Sequence, residues 1–175
     1  MKTLNLYINE KLKIDKNTTD FNKHTLFPKT TEELKEMIKS EIEKNGNECS
    51  LNHIDVSKIT NMATLFSFFE FNGDISTWDV SNVTSMYRMF HKSSFNGDIS
   101  NWNVSNVEDM NYMFYSCTNL KYLDISNFNT GNVTGMDWMF AYCSAISYLD
   151  LRNFDTSNVT NMFWMFDGCS SLTEL

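Results

Sequence analysis

The sequence predicts an α/β solenoid of strand-turn-short-helix repeats, 24–26 residues each, behind an N-terminal capping helix. Three observations predict it. A Met/Phe pair returns five times, in DVSKITNMATLF, DVSNVTSMYRMF, NVSNVEDMNYMF, NTGNVTGMDWMF and DTSNVTNMFWMF. Its methionines are Met62, Met86, Met110, Met136 and Met162, so the period is 24, 24, 26 and 26 residues. Within each unit, one half alternates apolar and polar residues and the other carries an apolar stripe at helical spacing.

Residues 1–24 read as a lead, in which Leu4, Tyr7, Ile8 and Leu12 suggest a short amphipathic helix. Residues 25–48 read as the capping helix. Thr30 and Glu33 make a capping-box pattern, Leu34, Ile38 and Ile42 form one apolar stripe, and Asn45-Gly46 is a stop signal. An open apolar stack needs such a polar-faced end.

Residues 49–175 hold the five repeats. Val83, Met86, Met89 and Phe90, with their equivalents, predict about two helical turns that packing must hold, because so short a helix does not persist alone. Leu123 and Ile125 alternate with Asp124 and Ser126, as a half-buried strand would. Ile75 with Trp78, and Ile99 with Trp102, fill the same inward places. Cys117, Cys143 and Cys169 recur at a spacing of 26 and read as small buried residues of one column.

Charge is unevenly distributed. Residues 1–49 carry nine Lys against nine Asp or Glu. Residues 50–175 carry five Lys or Arg against thirteen Asp or Glu, which is the whole net charge of −8. An array this acidic repels phosphate backbones and suits a basic protein partner. No apolar run is long enough to span a membrane. Glu10, Lys11 and Lys13 stand where a signal peptide needs its apolar stretch, so the chain as written reads as cytoplasmic. A cell-surface location would need an export signal ahead of it.

Catalytic signatures are absent. His24, His53 and His91 make no zinc spacing, and neither a nucleophile elbow nor a phosphate-binding glycine loop occurs. The reading is therefore non-enzymatic, with no cofactor and no metal. Function must lie in columns of equivalent residues along the stack. Asp74, Asp98, Asp124 and Asp150 form an acidic column, read either as turn-forming aspartates or as a stripe for a basic partner. Two places after the repeat methionine come Thr64, Arg88, Tyr112, Trp138 and Trp164. Tyr112, Trp138 and Trp164, with Phe163 beside them, make an aromatic strip of the kind that anchors interfaces. The last repeat runs through Leu172 to Leu175 with no second cap, which raises the expectation of an end-to-end homodimer.

LKYLDISNF followed by NVTGMDWMF resembles the repeat of the BspA-type leucine-rich repeat family, and PKTTEELKEMI with LNHIDVSKITNM resembles the segment that opens such arrays. The resemblance spans about residues 28–175 and recurs in register. It implies a leucine-rich-repeat-like solenoid, in a family with many surface proteins that bind other proteins. Trp78, Trp102, Phe128 and Phe154 stand where ordinary leucine-rich repeats often hold a buried Asn. The opening YINEKLKIDKNT also resembles the start of proteins from Bacteroidetes and their phages. The expectation is a protein-protein interaction module with aromatic and acidic ladders. The alternatives are an inhibitor, of the sort a phage encodes, that blocks a basic surface of a host defence or nucleic-acid enzyme, or a structural component of a particle or surface layer.

Overall fold

The computed structural model describes residues 24–175, and the lead helix expected near residues 4–12 lies outside the described residues. One helix, α1, spans Thr31–Asn45. Its start follows from the capping box. The Glu33 amide donates to Thr30 Oγ1 at 3.1 Å, and Glu33 Oε2 reaches back to accept from the Lys29 amide at 2.7 Å. Gly46, at φ 85°, ends it by donating its amide to the Ile42 carbonyl at 2.8 Å. Leu34 and Ile38 are fully buried and join the same core as the repeats.

The repeats themselves correct the expected fold class. Among the described residues α1 is the one helix and no strand forms, so the α/β solenoid of repeated strands and short helices is not what this chain builds. Each repeat is a coil of consecutive turns. Among the described residues parallel pairing is limited to single bridges, Asn61 to Ser85, Ser85 to Asp109, Asp109 to Gly135 and Gly135 to Asn161 in one column, with Leu26 to Ile54 and Tyr148 to Glu174 outside it.

The Met/Phe half shows why no helix forms. Arg88 and Lys92 have φ of 54°, and the equivalent residues of the other rungs are also left-handed. A residue at positive φ cannot continue a right-handed i→i−4 ladder. The amides instead divide their partners by turns. Those of Met86, Arg88, Phe90 and Lys92 donate to the carbonyls of Asp109, Asn111, Met113 and Tyr115 on the next rung. Those of Met89, His91 and Ser93 donate three residues back, to Met86, Arg88 and Phe90. With φ positive at the third residue of the Met86 and Phe90 turns, this is a run of type II geometry.

The other half fails to become a strand because side chains take up the backbone donors. Asp74, Asp98, Asp124 and Asp150 each accept the amide two residues ahead, at 3.0, 2.9, 3.1 and 3.2 Å. Such Asx turns curl the chain around the Ile or Leu that follows each of these aspartates.

Core and ladders hold the rungs together. Phe66, Phe90, Phe114, Phe140 and Phe166 stack one above another, with ring centroids 5.5, 5.4, 5.6 and 5.8 Å apart. The indole N–H of Trp78 donates to the Leu51 carbonyl at 3.0 Å, and that of Trp102 to Ile75 at 3.2 Å. Tryptophan thus does here what a buried amide would do, linking one rung to the last. An asparagine ladder runs along the outside, with Asn82, Asn106, Asn132 and Asn158 each donating to a carbonyl of the preceding rung at 2.7–2.8 Å. The thiols of Cys117, Cys143 and Cys169 point at the carbonyls of Phe90, Phe114 and Phe140, and none is oxidised. Gly73 marks a close approach, because a Cβ there would overlap the Cys49 carbonyl oxygen.

Candidate functional site: an aromatic face on left-handed backbone

Two columns of the Met/Phe turns carry the positive φ values. The first, two residues after each methionine, is Thr64, Arg88, Tyr112, Trp138 and Trp164. The second, four residues further, is Phe68, Lys92, Ser116, Tyr142 and Gly168. Nine of these ten residues are not glycine, although glycine alone occupies this region without penalty. Side chains are retained where the backbone would be easier without them.

These side chains form one continuous face. The Tyr112 and Trp138 rings stack at 6.1 Å with planes 5° apart, and Trp138 stacks on Trp164 at 5.6 Å. Tyr115 bridges the columns, lying 5.7 Å from Tyr112, 5.9 Å from Trp138 and 5.5 Å from Tyr142. His91 stacks on Tyr115 at 5.0 Å, and Phe68 meets its edge at 5.0 Å. Tyr112 and Trp138 are half-buried, whereas Phe68, Tyr142, Phe163 and Trp164 are exposed, Trp164 by 62 %.

The end nearest α1 is cationic. The Arg88 guanidinium carbon lies 5.0 Å from the Tyr87 ring centroid and 4.8 Å from that of Tyr112, and Lys92 Nζ lies 5.4 Å from that of Phe68. Lys35, from α1, donates to Thr64 Oγ1 at 3.1 Å and so lengthens the column by one positive charge. Burial, followed by the Arg88 and Lys92 charges, lowers the pKa of His91. At the other end, hydrogen bonding to Asp167 raises the Tyr142 phenol.

Tyr112, Trp138 and Trp164, singled out from the repeat register, are thus brought together, with Phe163 adjoining along the chain. The aspartate column is separate and spends its oxygens on local turns. Asp74 and Asp98 are exposed, and Asp124 and Asp150 half-buried. Asp150 also pairs with Arg152, which holds its carboxyl down at about 2. The second left-handed column and the bridging His91 and Tyr115 escaped the sequence reading. Lys92 and Ser116 interrupt its aromatics, so no run of one residue type drew attention to it.

Stacked turns, with α1 packed on the same core, define a repeat protein in which each unit rests on its neighbours. A family described as "Mycoplasma protein of unknown function, DUF285" matches residues 32–123 and 119–174, and the chain belongs to it. Neither a curated protein nor a solved structure matches the chain.

Proposed function

We propose that this protein is a non-enzymatic interaction module that binds a protein partner through the aromatic face. One observation carries the reading. Nine non-glycine residues hold left-handed backbone in two aligned columns, and five of them, Phe68, Tyr112, Trp138, Tyr142 and Trp164, supply rings to the aromatic face. Left-handed non-glycine backbone costs on the order of 1 kcal/mol or more per residue and concentrates at functional surfaces. Rigid Tyr and Trp rings lose little freedom on binding and anchor interfaces. The kinship to BspA-type leucine-rich repeats suggested by LDISNF and NVTGMDWMF belongs to the same proposal.

The aspartates form a second, acidic contact that guides a basic surface to the array, by charge more than by affinity. The net charge of −8, all within residues 50–175, favours this and supports a second reading, an inhibitor that covers a basic groove. Trp138→Ala and Trp164→Ala are expected to weaken partner binding by about tenfold or more each while circular dichroism stays native. Unchanged affinity in both folded variants would sink the proposal.

A further inference from the structure

The aromatic face contains one polar group that the fold leaves unserved. Among the described residues, Arg88 Nε is the one buried side-chain nitrogen or oxygen without a hydrogen-bond partner. Such an orphan is costly and rare in a well-packed protein. The guanidinium carbon lies 5.0 Å from the Tyr87 ring centroid and 4.8 Å from that of Tyr112, rings that meet at 78°, and neither accepts a hydrogen bond from Nε. Among the described residues no carboxylate pairs with Arg88 or Lys92, although thirteen of the eighteen charged residues in 50–175 are acidic.

We propose that Arg88, with Lys92 beside it, is a carboxylate-binding site, and that the face takes a protein segment with an acidic side chain next to aromatic ones. This rests on the reading of the aromatic face as the contact surface and names what one end of it recognises. A guanidinium packed against two aromatic rings loses little freedom on forming charge-assisted hydrogen bonds to a carboxylate. Partial burial strengthens that bond relative to one in water. The rest of the array rejects polyanions, so the fitting segment carries one or two carboxylates on an otherwise neutral or basic surface. The aromatic neighbours of that acid would pack along Tyr112, Tyr115 and Trp138, as an extended peptide follows a groove.

The test uses the full chain and a phage-displayed library of random peptides about a dozen residues long. Expected enrichment is for Asp or Glu beside Phe, Tyr or Trp. Replacing the peptide's acid by its amide, or making Arg88→Gln or Trp138→Ala, should each weaken binding by about tenfold or more, with Glu32→Gln without effect. In wild-type protein, the Arg88 Nε–H resonance in a nitrogen-15 correlation spectrum should shift with the acidic peptide and stay put with its amide form. That measurement stands even if Arg88→Gln fails to fold. Peptides that need Trp138 but ignore Arg88 overturn the carboxylate site and leave the interaction surface intact. Peptides that ignore both residues, or no enrichment, overturn both readings. Tighter Arg88-dependent binding of a single-stranded oligonucleotide would assign the cations to phosphate and overturn the proposal.

Discussion

Trp138 illustrates how single residues here serve two masters. Its backbone is left-handed at φ 54°, and its ring is stacked between those of Tyr112 and Trp164. Stacking of about 0.5–1.5 kcal/mol offsets a conformational penalty of similar size. Ser116 has the same backbone, φ 58°, without any ring to stack and without a side-chain hydrogen bond among those formed by the described residues. Ser116→Gly is therefore expected to raise stability by about 0.5–1 kcal/mol in urea unfolding. The thiols act at the same scale. Burial lifts Cys49 above the ordinary thiol value of 9.0 and Cys169 to about 11, and the Cys117 neighbour and burial lift Cys143 further. A folded-state pKa above the unfolded one favours the protonated form in the fold. The stabilisation is complete below pH 9.0, and is lost as pH rises from there through about 11. Urea midpoints should fall between about pH 8 and about pH 10.5, and Cys143→Ala should flatten that fall.

At the scale of elements, α1 was legible in full and the repeat halves were not. Thr30, Glu33 and Gly46 are local signals whose hydrogen bonds lie within a few residues of one another, so the sequence alone places both helix ends. Thr30→Ala should cost about 1 kcal/mol, measured as a lower urea midpoint. In the Met/Phe half, apolar residues at i, i+3 and i+4 also suit a chain of turns whose inward residues are Met86, Met89 and Phe90. Periodicity reports which residues face the core, and it does not distinguish amides bonded within a rung from amides bonded to the next. Likewise, Asp124 beside Ile125 reads as strand alternation, whereas its carboxylate is bound to the Ser126 amide and hydroxyl. Local side-chain bonds won over sheet pairing.

Across the whole molecule, stability is shared between neighbouring rungs. Phe114 lies between Phe90 and Phe140 in the ring stack and is fully buried. Phe114→Ala should destabilise by about 3–5 kcal/mol, and tryptophan fluorescence and hydrogen exchange in α1 should report the loss together. Separate transitions would show that the rungs melt independently. The aromatic face is also a property of the whole, since no single repeat contributes more than a few of its rings.

The sequence by itself determined the repeat register, the Met and Phe columns that are buried from Met62 to Met136 and open to solvent at Met162 in the last rung, the helix Thr31–Asn45 and the alignment of Tyr112, Trp138 and Trp164. These follow from spacing and from bonds between near neighbours. Tertiary structure decided that each rung is turn and not strand and helix, that Arg88 and Lys92 sit on left-handed backbone, and that Lys35 and Arg88 join the aromatic face. The physical reason is the same in each case. Every second backbone amide of the Met/Phe turns is satisfied by a carbonyl a full repeat away, and only the stack brings those partners within reach.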